Sequence, residues 1–535
     1  AARARQPRTR RRARGRAGPG AGGRLMTGRR AAGRRGKPPK PEPETPPGPR
    51  PGTPAGLRPE FPTGPQPRVP AGPQPEAGLQ PEAGRRAAGR AGRASGGGAS
   101  AGRAFVENRF GLFLLVVVAL AALYGVAYVT RPAPAPPAPE GPRKVAVEAA
   151  TAVCPSLKGG RVDVYLPGAL SRPTMKGADP YVATGPGGLE AGYTTRETKG
   201  EARGLAGVRC AEPGAAAWLV GPGPADADVT LHLMNADRAA ALVDVEVYAA
   251  EGAVSGDKGR GLEIPPGGHS AIDLKTLAPS ADVMAVGVTV LTGRLAVAAH
   301  ASLGGNGVDW LPAAAPPATR VVVPGVPGGG GTRKLLVAAP GDADANVAVQ
   351  AVTESAAYQM KGRESIDVPA GSVAALDVTT GIGGESAGLV LTSSTPVVAG
   401  LVVTGTGDKS DVAFTAGTPS LALGSAVAAN RDGARLVLTA PVTAGRVSVR
   451  IVPSRGAAQP PFEVDVPAGR TKSVKLKAKG EFGVVVTPVS GEVYGARVIE
   501  ERLKSGLLLT AQPLAPARTW TLLPPLDDTP AVVLP

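Results

Sequence analysis

The sequence predicts a mainly β protein, in which tandem immunoglobulin-like β-sandwich units follow one transmembrane helix and a disordered N-terminal arm. Three observations lead to this prediction. Short runs of alternating apolar and polar residues fill the chain from Lys144 onward, a proline–glycine turn recurs about every 100 residues, and one long uncharged segment precedes them. Alternation between turn residues is typical of β-strands that bury one face.

The N-terminal arm, residues 1–109, carries 24 Lys and Arg against six Asp and Glu. The remaining residues are almost neutral, so the basic character of the chain belongs to this arm alone. Its Arg, Ala, Gly and Pro residues cannot bury enough apolar surface to offset the entropy of ordering, which predicts disorder. The arm also lacks interleaved aromatic residues, so we expect no specific nucleic-acid partner. A translation start at Met26 is an open alternative.

The uncharged segment is Phe110–Val129, and its twenty residues have the length that crosses a bilayer core. The basic arm before it predicts a cytoplasmic N-terminus and an extracytoplasmic C-terminal part, because positive residues remain on the cytoplasmic side. We therefore predict that this segment is a single-pass signal anchor in the cell membrane. A cleaved signal peptide is the alternative. Residues 130–143, with the sequence TRPAPAPPAPEGPR, predict a stiff polyproline stalk.

The recurring turn has the pattern Ile/Val-Pro-x-Gly, and each copy stands between two predicted strand pairs. It occurs at Ile264–Gly267, Val368–Gly371 and Val466–Gly469. Pro presets φ and Gly accepts a positive φ, which suits a tight turn between strands. We therefore predict β-sandwich units at 144–312, with an N-terminal extension, and at 313–425 and 426–535. A β-propeller with two blades per repeat is the alternative fold.

Two cysteines, Cys154 and Cys210, lie after the apolar segment, and in an exported chain they predict one structural disulfide bond. The loop that they enclose is rich in glycine from Leu166 onward, and we expect it to be mobile. Large aromatic residues recur near the unit junctions, where we expect them to pack under proline-rich connectors. They are Trp218, Trp310, Phe414 and Trp520.

A search for catalytic patterns identifies no candidate residues. His232, His269 and His300 fit no metal-binding or catalytic spacing, so we interpret them as packing or surface residues. Asp342 and Asp344 share a predicted turn, where calcium binding is an alternative to the ordinary preference of Asp for turns. We therefore predict no catalytic residue, no metal, no cofactor and no enzyme activity.

A set of short motifs follows the single apolar segment: Cys154-Pro155, Cys210, Trp218–Pro222, Leu231-x-Leu-x-Asn235, Val243–Val245, Pro266-Gly267 and Asp309–Pro312. In these motifs the chain from about residue 110 to its end resembles an uncharacterised family of actinobacterial membrane-anchored secreted proteins, defined by a domain of unknown function. The resemblance implies an envelope location beside glycosyltransferases that build envelope polymers, and it supplies no catalytic residues.

These observations predict a non-enzymatic, membrane-anchored envelope protein that binds or scaffolds a cell-wall glycan or a protein partner outside the cytoplasm. Two alternatives stay open at this point. One is an enzyme that acts on envelope polysaccharides, because a catalytic carboxylate pair need not be close in sequence. The other is a passive structural spacer.

Overall fold

The computed structural model describes residues 107–130, 143–517 and 519–523. The predicted disordered arm before residue 107, the predicted stalk at 131–142 and the alternative start at Met26 lie outside these residues. The end of the predicted third unit, after residue 523, also lies outside them.

The apolar segment forms one α-helix, α1, which spans Glu107–Val129 and so begins three residues before the predicted segment. Within it, Phe110–Val129 is long and apolar enough to cross a bilayer. All of the side chains described in this stretch are exposed. The helix has the length and composition of a membrane span or of a signal segment.

An N-terminal unit follows α1 and consists of short antiparallel strands. Strands β4, β3, β6 and β7 form a sheet in that order, and β2 pairs with β5. A separate strand, β1, precedes this unit. The bounds are β1 (Arg143–Ala146), β2 (Ala150–Cys154), β3 (Asp163–Leu166), β4 (Ala169–Ser171), β5 (Tyr181–Gly185), β6 (Glu190–Glu197) and β7 (Gly204–Arg209).

The first sandwich packs two antiparallel sheets face to face, ordered β8–β14–β10–β12 and β13–β9–β15–β16. A short strand, β11, also pairs with β10, and a 3-10 turn at Leu274–Thr276 precedes β14. The bounds are β8 (Ala216–Pro222), β9 (Asp228–Met234), β10 (Ala241–Ala249), β11 (Gly252–Ala253), β12 (Leu262–Ile264), β13 (His269–Asp273), β14 (Val283–Thr292), β15 (Ala296–Ser302) and β16 (Val308–Leu311).

The second sandwich contains one long strand, β23, that belongs to both sheets. Its first half pairs with β17 and β19, and its second half pairs with β18 and β24. The bounds are β17 (Ala318–Val326), β18 (Arg333–Ala339), β19 (Ala345–Thr353), β20 (Ala357–Gln359), β21 (Ser365–Val368), β22 (Ser372–Asp377), β23 (Ala387–Thr404) and β24 (Val412–Ala416).

The third sandwich has the sheet orders β25–β30–β27–β28 and β29–β26–β31–β32, and a 3-10 turn at Leu421–Leu423 precedes it. A last strand, β33 (Trp520–Leu523), returns to pair with β1. The bounds are β25 (Ser425–Asn430), β26 (Ala434–Ala440), β27 (Gly445–Pro453), β28 (Phe462–Val466), β29 (Arg470–Lys475), β30 (Phe482–Ser490), β31 (Tyr494–Leu503) and β32 (Gly506–Pro513).

All three sandwiches share one strand order. In the second sandwich it is β17–β23–β19–β21 in one sheet and β22–β18–β23–β24 in the other. Successive strands therefore lie mostly in opposite sheets, whereas each blade of a propeller is one four-stranded sheet. The prediction of a mainly β, sandwich-like fold is confirmed, and the propeller alternative does not describe these sheets.

The three proline–glycine turns connect equivalent strands of opposite sheets. They join β12 to β13, β21 to β22 and β28 to β29. Gly267, Gly371 and Gly469 have φ angles of 63°, 66° and 63°. This is the left-handed region that glycine adopts without strain, so the turn chemistry read from the sequence matches the backbone.

The largest hydrophobic core of each of the four units is completed by residues from another unit. The core of the N-terminal unit takes Met234 and Trp310 from the first sandwich, whose own core takes Phe414 from the second. The core of the second takes Val498 from the third, and the core of the third takes Leu205 from the N-terminal unit. Because each unit relies on its neighbour to bury apolar surface, we expect the four units to unfold together.

The last strands of the four units also contact one another in a closed cycle. Strand β7 contacts β16, β16 contacts β24, β24 contacts β32, and β32 contacts β7. We call this meeting point of β7, β16, β24 and β32 the four-unit junction.

Two expectations from the sequence are wrong. The segment enclosed by the two cysteines, expected to be a mobile loop, forms strands β3 to β7, because Val164, Tyr193 and Val208 on these strands are buried in a core. Trp520, expected to pack under a connector, is 40% exposed on β33. Within the described residues its strand pairs with β1 alone, so no second sheet covers the indole there.

Candidate functional site

A buried carboxylate, that of Asp309 on β16, joins three units at the four-unit junction. Its Oδ1 accepts hydrogen bonds from the backbone N–H of Gly207 in the N-terminal unit at 2.9 Å and from Trp310 N–H at 2.9 Å. Thr510 of the third sandwich donates its hydroxyl to the same oxygen at 3.1 Å. Asp309 is fully buried, so these donors replace water at Oδ1, while Oδ2 is buried with no hydrogen-bond partner among the described residues.

A second buried carboxylate, that of Asp411, stands just before β24 of the second sandwich and repeats this arrangement. It accepts from the backbone N–H groups of Leu205 at 3.0 Å and Leu509 at 2.9 Å, which lie in the N-terminal unit and the third sandwich. Arg203 donates from Nη1 to the carbonyl of Ser410 at 2.7 Å. Burial raises the pKa of Asp411 to about 6, although these donors and Arg203 oppose the rise.

A buried guanidinium, that of Arg497 on β31, supplies positive charge at the junction. It donates from Nη2 to Oε1 of Gln512 at 2.5 Å. Burial lowers the pKa of Arg497 to about 10 and raises the pKa of Asp309. The charge of Asp309 partly offsets the fall in the pKa of Arg497, whereas the neighbouring Asp411 adds to the rise in the pKa of Asp309. The junction is thus a polar centre enclosed by four apolar cores.

A pocket of about 450 Å³ lies over this polar centre, because Gly207 and Gln512 contribute to both. We call it the junction pocket. All four units or their connectors line it. The N-terminal unit contributes 207–212, the first sandwich Trp218 and Trp310, the third sandwich 511–513, and the connecting segments 312–316, 417–419 and 515–517. The volume lies within the range of small-molecule sites in proteins.

An ion pair forms one wall of the junction pocket. Arg209 on β7 donates from Nε to Oε1 of Glu190 at 2.7 Å and from Nη2 to Oε2 at 2.5 Å. Only 4% of the Glu190 side chain is exposed, against 24% for Arg209. Burial raises the pKa of Glu190, while the adjacent guanidinium opposes the rise. The pair therefore presents a fixed, partly accessible guanidinium to the pocket.

The other polar groups of the pocket are few. Glu212 is exposed at the rim and is the third ionisable residue of the lining, which gives the lining a formal net charge of −1. Gln512 has its amide oxygen bonded to Arg497, so its amide nitrogen remains as the donor. Thr151 and Thr418 add hydroxyl groups, and most other lining residues are Ala, Pro, Leu and Val.

Trp310 anchors the packing behind the pocket. Its ring centroid lies 5.0 Å from that of His300, 5.5 Å from that of His232 and 6.2 Å from that of Tyr193. Burial lowers the pKa of both histidines, that of His232 to about 4. The two histidines contact an aromatic ring, which agrees with their interpretation as packing residues.

The disulfide bond joins Cys154 on β2 to Cys210, directly after β7. Both cysteines belong to the core of the N-terminal unit, and Cys210 also lines the junction pocket. The bond therefore fixes β2 to the end of the strand that carries Gly207 and Arg209.

The other residues that the sequence analysis considered as metal ligands or catalytic groups lie outside the junction pocket. His269 is exposed at the start of β13, and Asp344 accepts a hydrogen bond from the backbone N–H of Ala370 at 2.8 Å, within a turn. Within residues 107–130, 143–517 and 519–523, no three His, Cys, Asp or Glu side chains stand close enough together to hold a metal ion.

Comparison of the sequence with models of protein families finds a match over most of the β units. A family model described as a family of unknown function, DUF5719, matches residues 177–477. The chain belongs to the DUF5719 family. The DUF5719 match includes Glu190, Arg209, Asp309 and Asp411, while Gln512 lies beyond it. No curated protein matches the chain.

Sequence reasoning missed Glu190, Arg209, Asp411 and Arg497 in this DUF5719 chain. One feature of the sequence could have identified Arg497, because it interrupts the apolar residues of a predicted strand. A charged residue at such a position is buried only where other groups pair with it. Asp309 was noted only as part of the Asp309–Pro312 motif. Its partners lie on other units, and no local pattern identifies them.

Proposed function

We propose that this DUF5719 protein is a membrane-anchored binding protein of the cell envelope, exposed outside the cytoplasm, whose junction pocket holds a segment of neutral glycan. It acts as a non-enzymatic receptor or scaffold. The observation that carries the proposal is the junction pocket, which lies where all four units meet over a buried polar centre.

The location is supported by three features of the chain. The apolar helix can cross a bilayer, and the strongly basic arm before it favours a cytoplasmic N-terminus. The disulfide bond between Cys154 and Cys210 suits an oxidising compartment outside the cytoplasm.

The class of ligand is supported by the chemistry of the lining. A formal charge of −1 disfavours anionic polymers, because like charges repel in a partly desolvated pocket. Arg209 and Gln512 offer N–H donors, and Thr151 and Thr418 offer hydroxyl groups that both donate and accept. Apolar walls with a few such polar groups suit a ring that is apolar on its faces and hydroxylated at its edge, as neutral sugars are.

The proposal is tested with the purified full-length chain in lipid nanodiscs, mixed separately with neutral, anionic and cationic oligosaccharides. We expect neutral oligosaccharides to be retained and recovered intact. Recovery of shortened products would instead support the enzyme alternative. Retention of none of the three classes would contradict the glycan proposal and leave a protein partner as the alternative to test.

A further inference from the structure

The paired strands β1 and β33 form a two-stranded ribbon with large apolar side chains exposed. In it, Trp520 is 40% exposed, Leu522 is 55% exposed and Leu523 is 48% exposed. The register places Lys144 opposite Leu522 and Arg143 opposite Leu523. Lys144 Nζ lies 5.3 Å from the centroid of the Trp520 ring. The ribbon thus combines an aromatic ring, two leucines and two basic side chains.

The base of the ribbon is attached to the N-terminal unit. The N–H of Val147 donates to the carbonyl of Thr519 at 3.1 Å, and Gly187 donates to the carbonyl of Val147 at 3.0 Å. Trp520 lies opposite Ala146, directly beside this attachment, and Leu522 and Leu523 lie at the other end of the ribbon, where the chain continues toward α1.

We infer that one face of this ribbon docks on the outer leaflet of the bilayer that holds α1, with Trp520 and Leu522 at the interface and Lys144 at anionic headgroups. Arg143 and Leu523 lie on the opposite face of the ribbon. The inference rests on the membrane anchor in the proposed function. Tryptophan favours the membrane–water interface, and basic side chains near an anionic surface are attracted to it.

The length of the chain between α1 and the ribbon is compatible with docking of the ribbon on the bilayer. Residues 131–142 separate α1 from Arg143, and six of them are proline. At about 3.1 Å per residue, a polyproline segment of this length reaches about 40 Å at most. Among the described strands, β1 is therefore the one joined to the membrane helix by the shortest stretch of chain.

The test uses the full-length chain in vesicles of phosphatidylcholine, with and without phosphatidylglycerol, whose acyl chains are brominated to quench nearby tryptophan. Comparison with Trp520→Phe isolates the signal of Trp520. We expect at least a twofold loss of that signal, and a larger loss when phosphatidylglycerol is present. The double variant Leu522→Asp/Leu523→Asp should abolish the quenching. Val442→Asp/Val489→Asp, at two exposed positions of the third sandwich, is the matched control and should keep it.

Two outcomes would overturn the inference, and they are distinguishable. If alkaline carbonate extracts the chain from the vesicles, the anchor fails and the docking fails with it. If the chain stays in the vesicles but Trp520 is unquenched, the anchor stands and the ribbon docking alone is wrong. Burial of Trp520 that depends on protein concentration and not on lipid would indicate a second copy of the chain, and would also overturn it.

Discussion

Asp309 accepts a hydrogen bond at 2.9 Å from the backbone N–H of Gly207, a residue 102 positions earlier in a different unit. The same oxygen accepts from Thr510, so a single carboxylate links the N-terminal unit, the first sandwich and the third sandwich. Gly207 also lines the junction pocket. The shape of the proposed binding site therefore depends directly on a buried structural contact.

Replacing Asp309 by alanine should lower the free energy of unfolding by about 3 kcal/mol or more, because the change leaves the N–H groups of Gly207 and Trp310 and the hydroxyl of Thr510 buried without this acceptor. Asp309→Asn keeps an oxygen acceptor and should cost less. Asp342→Ala, in an exposed turn, is the control and should change stability by less than about 0.5 kcal/mol. Urea unfolding measures all three, and equal losses for the two alanine variants would contradict the role of Asp309.

Gly204→Ala should destabilise the protein by about 1 to 3 kcal/mol through overpacking. A Cβ at Gly204 would lie 2.8 Å from the backbone N of Val308 and 2.8 Å from Oδ1 of Asp411, which belong to two other units. A Cβ at Gly341 would meet no atom within 4 Å, so Gly341→Ala is the matched control. We expect the control to unfold at the wild-type temperature or slightly above it. An unchanged melting temperature for Gly204→Ala would argue against close packing of the units.

Removal of the disulfide bond by the double change Cys154→Ser/Cys210→Ser should cost about 4 kcal/mol in the chain-entropy model, given a separation of 56 residues. The bond fixes β2 to the end of β7, so the loss should also weaken retention of oligosaccharides by the junction pocket. Chemical denaturation measures the first effect and a binding assay the second. Reduced stability with unchanged binding would mean that the pocket does not depend on this bond.

Because of His232, the free energy of unfolding should decrease as the pH is lowered from about 6.5 to about 4. Burial lowers its pKa to about 4 in the folded protein, while the unfolded chain takes up the proton near 6.5. The unfolded state therefore binds more protons in this window, and folding loses free energy as the pH falls. Asp163 and Asp411 act in the opposite direction, because burial raises the pKa of each to about 6.

The contribution of His232 is isolated by comparing His232→Gln with the wild type at each pH, because the two aspartates are common to both proteins. The stability of the wild type relative to the variant should decrease as the pH is lowered from 7 to 4. A constant difference across this range would contradict a histidine that stays neutral in the folded state.

Local chemistry explains which features the sequence predicted. The turns at Gly267, Gly371 and Gly469 were predictable because proline and glycine act on their own backbone. The apolar helix was predictable from the length of one uncharged run. The strands between the cysteines were missed because frequent glycine obscures the alternation, although Tyr193 and Val208 are buried there.

The junction pocket was not predictable, for a different reason. Glu190 and Arg209 are 19 residues apart on neighbouring strands, and each reads in isolation as an ordinary surface charge. Asp309, Asp411 and Arg497 meet only because four separate cores close into a cycle. That closure depends on contacts such as those of Leu205 and Phe414 with cores of other units, which no periodicity in the chain records.

The most direct test of the account is the affinity of the full-length chain for a neutral oligosaccharide, measured by calorimetry for two variants that carry the same change. Ala216→Trp places an indole in the junction pocket at an exposed position, and Ala343→Trp places one in an exposed turn of the second sandwich. We predict that Ala216→Trp lowers the affinity at least tenfold while Ala343→Trp leaves it unchanged, with both variants folded. Equal affinity for the two variants would contradict binding in the junction pocket.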